Sequence, residues 1–413
     1  MKSNRRDNKN RVLKEGEYQK SNGSYEYRYT CKNGKRKSIY APTLKGLREK
    51  ERTLLRNSLN GIDVSCDSLR VDDLFEKWLR LKKNIKDNTK ANYEYMYRQY
   101  VEGGFGRCKV TDVHKSDVRE FYNTLYEERN LKPSTIDSIH IVLHQVFQIA
   151  VDDEMILVNP ADSALKELKS AHGDDSEKRM SLTEQQEIKV LRFVKSSAIY
   201  HHWFPLLIVL FFTGLRIGEL AGLTWSDIDL EADIIHVRHT LVYYSKRSEK
   251  SQHGGCVYRM NTPKTHAGYR DIPILPIVHD AILAEKANLE KIGIKSAIIV
   301  DGYSDFVFLN KEGLPLHNGI VNKAIRRIVR DCNYSILDSN QRCDECIPNF
   351  SCHSCRHTAA TRMNEVGMND KARKDILGHE SEDITNKVYT DTFIEFRASE
   401  MAKLNPLADK ILS

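Results

Sequence analysis

Alternating and helical hydrophobic patterns meet near residue 70, so this chain has to build a small sheet domain first and helical domains after it. Residues 24–30, Ser-Tyr-Glu-Tyr-Arg-Tyr-Thr, alternate aromatic and polar side chains, the pattern of a half-buried strand. Asn22-Gly23 and Asn33-Gly34 flank the run, and Asn-Gly favours tight hairpins because both residues tolerate positive φ. Strands over residues 15–20 and 35–40 complete a three-stranded meander, and a helix is expected over residues 44–59, after Pro42 and Thr43. Tyr25, Tyr27 and Tyr29 share one strand face and are expected to pack on that helix. From Val71 the spacing becomes helical, with Val71, Leu74, Phe75, Trp78 and Leu79 in one stripe. Further helices are predicted over residues 88–100, 115–129 and 134–152, the last with Ile139, Leu143, Val146, Phe147 and Ala150 inward. Asn159-Pro160 ends this helical region.

At 413 residues the chain is long enough for two or three domains. Residues 60–68 and 166–180 are polar and read as linkers, which separates residues 1–65, 69–165 and 181–413. Thr183 with Gln186 forms a capping-box pattern that opens the last domain. That domain reads as mostly helical, with β signals at residues 234–237 and 269–274. The fold class is multidomain, mainly α with α+β parts: a three-stranded sheet plus helix, a helical domain, and a mostly helical domain with a short sheet. A C-terminal tail begins at about residue 390 and carries an amphipathic helix.

Charge is distributed unevenly. Residues 1–65 hold 17 Lys and Arg against 7 Asp and Glu, and the remainder holds 47 against 50. A basic excess confined to one ordered module is the footprint of a polyanion binder. Arg28, Lys35, Arg36 and Lys37 on the sheet are candidate DNA contacts. Lys82, Lys83, Lys86 and Lys90 are candidates too, although a solvated helix face accounts for that run equally well. No apolar run reaches the ~18 residues of a membrane helix. The longest, over residues 204–212, contains Pro205 and ends at Thr213-Gly214. Nothing apolar follows the charged residues at the start, so no secretory leader is expected. The nine cysteines are odd in number and scattered, which points to reduced thiols in a cytosolic protein.

Three separated motifs carry chemistry. In Thr213-Gly214-Leu215-Arg216-Ile217-Gly218-Glu219-Leu220 an Arg and a Glu sit one turn apart, just after an apolar helix that breaks at Gly. An Arg steadied by a carboxylate is a two-pronged donor for phosphate, but such a pair is as often purely structural. Thr262-Pro263-Lys264-Thr265 places a Lys ahead of the second β signal, where a lone Lys is ordinarily just solvated. Cys352-His353-Ser354-Cys355-Arg356-His357-Thr358 puts His353 and Arg356 on one helix face. Ile376-Leu377-Gly378-His379 follows, and Tyr389 comes ten residues after His379. Each fragment has an innocent reading, yet the ordered set of Arg, Lys, His-x-x-Arg, Gly-His and Tyr in one domain does not arise readily by chance. Cys343, Cys346, Cys352 and Cys355 repeat a zinc-ligand spacing. Their five-residue gap is tight and the second pair brackets His353, where a metal would distort the helix, so the thiols are read as unrelated core groups and no metal is expected.

This set resembles the tyrosine recombinases, the phage-integrase superfamily, and within it the integrases of conjugative transposons of the Tn916 type. The likeness spans nearly the whole chain. Residues 1–65 resemble the arm-type DNA-binding domain, residues 69–165 the SAM-like core-binding domain, and residues 181–413 the catalytic domain. Cys355 stands where the family usually has Leu, and the interval of ten from Gly-His to Tyr is often nine. Neither departure touches a catalytic side chain.

The resemblance implies that Tyr389 attacks a DNA phosphate and forms a 3′-phosphotyrosyl link. Arg216, Arg356 and His379 would donate to the non-bridging oxygens, Lys264 would protonate the leaving 5′-oxygen, His353 would assist proton movement, and Glu219 would orient the site. Guanidinium suits both Arg positions because it is planar, bidentate and always charged. The bond energy stays in the covalent intermediate, so no cofactor or ATP is implied, and no Gly-x-x-x-x-Gly-Lys-Ser/Thr loop is present. Implied partners are double-stranded DNA with arm-type and core-type sites, three further copies in a tetramer, an excisionase and a host DNA-bending protein, with no membrane and a bacterial cytoplasmic location. Docking of the tail helix on a neighbouring protomer is preferred to docking in cis. Two alternatives stay open: a type IB topoisomerase-like relaxing enzyme, and a DNA-binding protein with a decayed catalytic domain.

Overall fold

The computed structural model describes residues 5–30, 34, 36–59, 69–172, 181–245, 255–263, 265–338, 346–378 and 393–413. Lys35, Lys264, Cys343, His379 and Tyr389 lie outside the described residues, as do residues 60–68 and 173–180 of the linkers. The chain divides into two compact units, Met1–Glu177 and Lys178–Ser413.

In the first unit, strands β1 (Glu17–Gln19), β2 (Tyr25–Thr30) and β3 (Arg36–Ala41) pair antiparallel in that order, and helix α1 (Leu44–Leu59) follows. Gly23, at φ +84°, supplies the positive φ of the first hairpin. Tyr25 and Tyr27 pack with Leu13, Ile39, Leu44 and Leu47, as the alternation predicts, whereas Tyr29 stays outside this core, half-buried and stacked on Tyr27 with ring centroids 6.1 Å apart. Arg48 of α1 donates to the buried Glu17 of β1 at 2.8 Å, tying helix to sheet. Helices α2 (Val71–Leu81), α3 (Asp87–Tyr100), α4 (Lys115–Glu127) and α5 (Pro133–Asp152) build a second core. All five residues of the α2 stripe are buried in it.

The segment read as a linker over residues 166–180 begins instead as a helix, α6 (Lys166–His172). Leu165 and Leu168 seat on the core of α2–α5. Lys169 pairs with Asp137 of α5 at 2.6 Å. Two apolar anchors in a polar sequence are enough to order one short helix, because tertiary packing rather than propensity supplies most helical stability.

The second unit comprises α7 (Glu184–Ser196), α8 (Phe204–Thr213), α9 (Ile217–Gly222), β4 (Ile228–Asp229), β5 (Ile234–Val237), β6 (Thr240–Ser245), β7 (Cys256–Asn261), β8 (Arg270–Pro273), α10 (Pro276–Ile292), α11 (Asn318–Asp338), α12 (Cys352–Glu365), α13 (Asp370–Leu377), α14 (Ile394–Ala402) and α15 (Asn405–Leu412). Thr183 caps α7 as its capping box predicts, accepting the Gln186 N–H at 3.2 Å. Every residue of α8 from Pro205 to Thr213 is buried, so this all-apolar helix is the centre on which the others pack. Where two β signals were expected, the described residues form five strands: an antiparallel β4-β5-β8 sheet and an antiparallel β6–β7 pair. Residues 240–245 carry good strand formers, but their partner strand begins eleven residues later, and no two-residue turn marks the pair.

The tail packs in cis. Met401, Leu404, Leu407, Ala408 and Ile411 join the core of their own unit. Arg192 and Lys195 of α7 donate to the carbonyls of Lys410 and Leu412 at 3.0 and 2.7 Å, satisfying the end of α15. The helix expected in the tail is α14, whose Arg397 donates to the Asp271 carbonyl at 2.7 Å, and α15 beyond it takes an apolar and hydrogen-bonded seat on α7. Among the described residues no helix is long and apolar enough to cross a membrane.

Candidate active site

Gly214 terminates α8 in the left-handed conformation, at φ +63°. The chain turns, and Arg216 becomes the N-cap of α9. Glu219 accepts the backbone N–H of Arg216 at 2.9 Å and its guanidinium at 2.8 Å. The Glu219 carboxylate is buried, whereas the Arg216 side chain remains 44% exposed. The motif thus forms an Arg fixed at its base and open at its head.

A second guanidinium lies against the same carboxylate. Arg270, the first residue of β8, is buried and donates to both Glu219 oxygens, at 3.2 and 2.8 Å. Burial pushes the Glu219 carboxyl up, but the hydrogen bonds and charge of Arg270, with those of Arg216, hold it below the usual carboxylate range. Sequence reasoning passed over Arg270. The signal was its phase: Arg270, Ile272 and Ile274 fall on the same buried side of the strand and its extension, and a charge on an apolar phase needs a partner.

Helix α12 is capped by Ser351, which accepts the Ser354 N–H. His353 is exposed near its start and meets His357 edge-on, with ring centroids 4.7 Å apart. Arg356 is buried one turn on and donates to the Gly214 carbonyl at 2.6 Å and the Leu377 carbonyl at 2.5 Å. Burial and the neighbouring Arg216 push its guanidinium down to about 10, so it is still a cation at neutral pH.

Helix α13 ends at Gly378, at φ +65°. Three successive carbonyls there accept from three different arginines: Ile376 from Arg270 at 2.7 Å, Leu377 from Arg356 at 2.5 Å, and Gly378 from Arg216 at 3.2 Å. The carbonyl end of a helix carries partial negative charge and suits cations. Arg216, Glu219 and Arg356, three of the residues selected from the sequence, therefore meet at the turn that leads into His379.

The cysteines of α12 face inward. Cys352 Sγ donates to Asn318 Oδ1 at 3.0 Å, and Cys355 is fully buried. Burial raises both thiols, Cys352 to about 11. Among the described residues no three His, Cys, Asp or Glu side chains gather to hold a metal. In the first unit, Arg28 pairs with Glu26 at 3.1 Å and lies over the Tyr18 ring, while Arg36 is exposed and Lys37 half-buried. Lys82 lies over Trp78, Lys86 is half-buried, and Lys83 and Lys90 are exposed around the α2–α3 turn.

Residues 1–58 match the DNA-binding domain of Tn916 integrase, and residues 71–126 match the phage integrase N-terminal SAM-like domain. Residues 180–261 and 273–395 match the phage integrase family. The chain is 30% identical to the transposase from transposon Tn1545 of Streptococcus pneumoniae, over 98% of each chain. It is equally similar, 30% over 98% of each, to the transposase from transposon Tn916 of Enterococcus faecalis. A solved structure of the Tn1549 transposon integrase in complex with circular intermediate DNA is 31% identical, with a TM-score of 0.64, covering 81% of this chain and 99% of that one. Matched from end to end, with two arginines and a glutamate gathered at one turn of its larger unit, the chain belongs to the phage integrase family of tyrosine recombinases.

Proposed function

We propose that this chain cuts and rejoins DNA at the ends of a mobile element through a covalent tyrosyl link, with Arg216 and Arg356 as paired donors to the scissile phosphate. As a tyrosine recombinase it is a DNA strand transferase, and its full-length likeness to the Tn916 type makes it a site-specific integrase of a conjugative transposon. The observation that carries the site reading is the convergence of Arg216 and Arg356 on the adjacent carbonyls of Gly378 and Leu377.

In the proposed reaction Tyr389 Oη attacks the phosphorus, the new O–P bond forms, and the P–O5′ bond breaks. Lys264 gives a proton to the leaving 5′-oxygen, and His353 helps the tyrosine proton depart. Negative charge on the non-bridging oxygens peaks in the transition state, where Arg216, Arg356 and His379 oppose it. Burying Arg356 beside another cation is unfavourable until an anion arrives, so the free site is biased toward the phosphate it has to bind.

The Tn1549 enzyme is seen on circular intermediate DNA, and double-stranded DNA is the ligand proposed here. Arg28, Lys35, Arg36 and Lys37 would contact arm-type sites, and Lys82, Lys83, Lys86 and Lys90 core-type sites. A tetramer, an excisionase, a host bending protein and a bacterial cytoplasmic location belong to the same proposal. The separate basic module favours an integrase over a relaxing topoisomerase, since binding two kinds of site is a recombination device.

The test uses a nicked suicide duplex bearing the cognate element end, incubated with the full chain and run on a denaturing gel. A DNA-linked protein band that vanishes in Tyr389→Phe is the expected result. Tight binding without a covalent band would leave a DNA-binding protein and end the enzyme reading.

A further inference from the structure

Arg270 belongs to none of the sequence motifs, yet it is the most heavily committed cation of the site. Its side chain is 3% exposed. It spends four hydrogen bonds on three separate segments: two on Glu219 of α9, one on the Gly268 carbonyl just ahead of β8, and one on the Ile376 carbonyl of α13. The third contact is sterically tight. A Cβ on Gly378 would lie 3.0 Å from Arg270 Nη1 and 2.9 Å from the Ala267 carbonyl, so the turn closes on Arg270 only because residue 378 is glycine. Gly268 is equally confined, since a Cβ there would come within 2.4 Å of Pro263, the residue before Lys264. One guanidinium therefore sets the spacing between the helix that bears Arg216, the loop that follows Lys264, and the turn that precedes His379.

We infer that Arg270 is a positioning residue for strand transfer: by neutralising Glu219 from below, it leaves the head of Arg216 free to grip phosphate. Glu219 has to hold Arg216 at its base without capturing it. With Arg270 in place the carboxylate divides between two cations, and Arg216 keeps one contact to it through Nη1 and one to the Gly378 carbonyl through Nη2. Without Arg270, the charged groups left facing Glu219 are Arg216, which is bonded to it, and Arg356, which lies close by. The carboxylate would then draw Arg216 inward. The inference rests on the reading of Arg216 and Arg356 as the phosphate donors.

The experiment measures single-turnover formation of the covalent adduct on the suicide duplex, with full-length protein in excess, from pH 5.5 to 8.5. Arg270→Met is expected to slow adduct formation roughly 10- to 100-fold, the scale of a small misplacement in a preorganised site, while the Kd for the duplex moves by less than about twofold. The defect should be deepest at high pH, where Glu219 is charged, and should shrink as pH falls and the carboxyl, raised by the loss of its partner, takes a proton. Adding Glu219→Gln to Arg270→Met removes the stranded charge and is expected to recover about fivefold in rate, with no pH trend left in the ratio to wild type. Should Arg270→Met not fold, Arg270→Gln removes the charge from a side chain that still hydrogen-bonds, and the same pH trend and Glu219→Gln recovery are expected of it.

The inference is overturned if both Arg270 variants react at the wild-type rate. It is also overturned if the loss is the same at every pH and Glu219→Gln recovers nothing, which would make Arg270 a purely structural strut. Arg216→Lys and Arg356→Lys run alongside. If these two react normally, the phosphate-donor reading itself has failed, and the role of Arg270 falls with it.

Discussion

Glu219 and Glu187 are both buried in the catalytic unit, and each faces an arginine that is itself buried, Arg270 in one case and Arg362 in the other. Glu219 accepts from the Arg216 backbone, the Arg216 side chain and twice from Arg270. Glu187 accepts from Arg362 Nε at 2.9 Å through one oxygen, and its Oε1 is buried with no hydrogen-bond partner. Arg362 sends its other donors to the Leu182 carbonyl and to Glu365. Burial pushes the Glu187 carboxyl up to about 7 in spite of Arg362, whereas Glu219 stays below its ordinary value. Both carboxyls pay a desolvation penalty, so the number of donors decides which one keeps its charge. Function divides the same way. The well-supplied pair steadies Arg216, the proposed phosphate donor, and the undersupplied pair pins the start of the unit, residues 182–187, onto α12. Helix α12 serves both, with Arg356 turned to the site and Arg362 to the entry of the chain.

The largest effect that would sharpen this contrast comes from conservative changes in α12. Arg356→Lys cannot span the Gly214 and Leu377 carbonyls and also grip a phosphate, so adduct formation should fall about 10²- to 10³-fold. Arg362→Lys should leave the rate within about threefold and lower stability instead. Equal losses of rate would show that the two faces of α12 are one machine, and the comparison would break.

Removing the carboxylates is the next step down. Glu219→Gln should destabilise the protein by about 3 kcal/mol in urea unfolding, because Arg270 is left buried against a neutral amide. Glu187→Gln should change stability by less than about 1 kcal/mol at pH 7, where an amide replaces a carboxyl that is already half protonated. The pH dependence separates them further. The folded Glu187 carboxyl titrates near 7, above its ordinary 4.5, so its stabilisation is complete below pH 4.5 and is lost as pH rises through about 7. Glu219 is depressed, so its stabilisation is complete above 4.5 and is lost as pH falls through its folded value. The difference in melting temperature between wild type and Glu187→Gln should therefore decline between pH 4.5 and 7. The difference for Glu219→Gln should hold flat there and decline only in more acid solution. Parallel curves would mean that donor number is not what distinguishes the pairs.

Neither buried pair was legible in the sequence, although the contact of Glu219 with Arg216 was. Arg216 and Glu219 lie three apart beside a helix break, so local spacing displays their bond. Arg270 reaches Glu219 across 51 residues, and Arg362 reaches Glu187 across 175, so no local pattern could join them. The same distinction runs through the fold. The stripe of α2 is local and legible to the residue, and the tyrosine alternation of β2 is legible for Tyr25 and Tyr27, whereas Tyr29 at the strand's far end stays outside that core. Helix α6 needed a core it could not announce, the β6–β7 pair needed a partner eleven residues away, and the cis seat of α15 needed side chains from α7. The motifs mark the candidate site because Arg216 with Glu219, and His353 with Arg356, are each three residues apart, while the cation beneath them showed only as a charge in an apolar phase.

The smallest effect tests whether the Glu187 side is merely an anchor. Thr183 caps α7 through the Gln186 N–H, and the Gln186 side chain returns the bond to the Thr183 N–H at 3.0 Å. Glu187 stands in the first turn of that helix, where the positive end of the helix dipole helps to offset its burial. Thr183→Ala removes one cap acceptor and should lower stability by about 1 kcal/mol. It should also fray the turn that holds Glu187 against Arg362, so Thr183→Ala and Glu187→Gln should couple in a double-mutant cycle, whereas Thr183→Ala and Glu219→Gln should add. Adduct formation at saturating protein should not change, because nothing in the capped turn touches Arg216, Arg270 or the α13 carbonyls. A slower reaction in Thr183→Ala, with the protein fully folded, would mean that the entry segment transmits strain along α12 to Arg356, and the anchoring pair would have to be counted as part of the catalytic device.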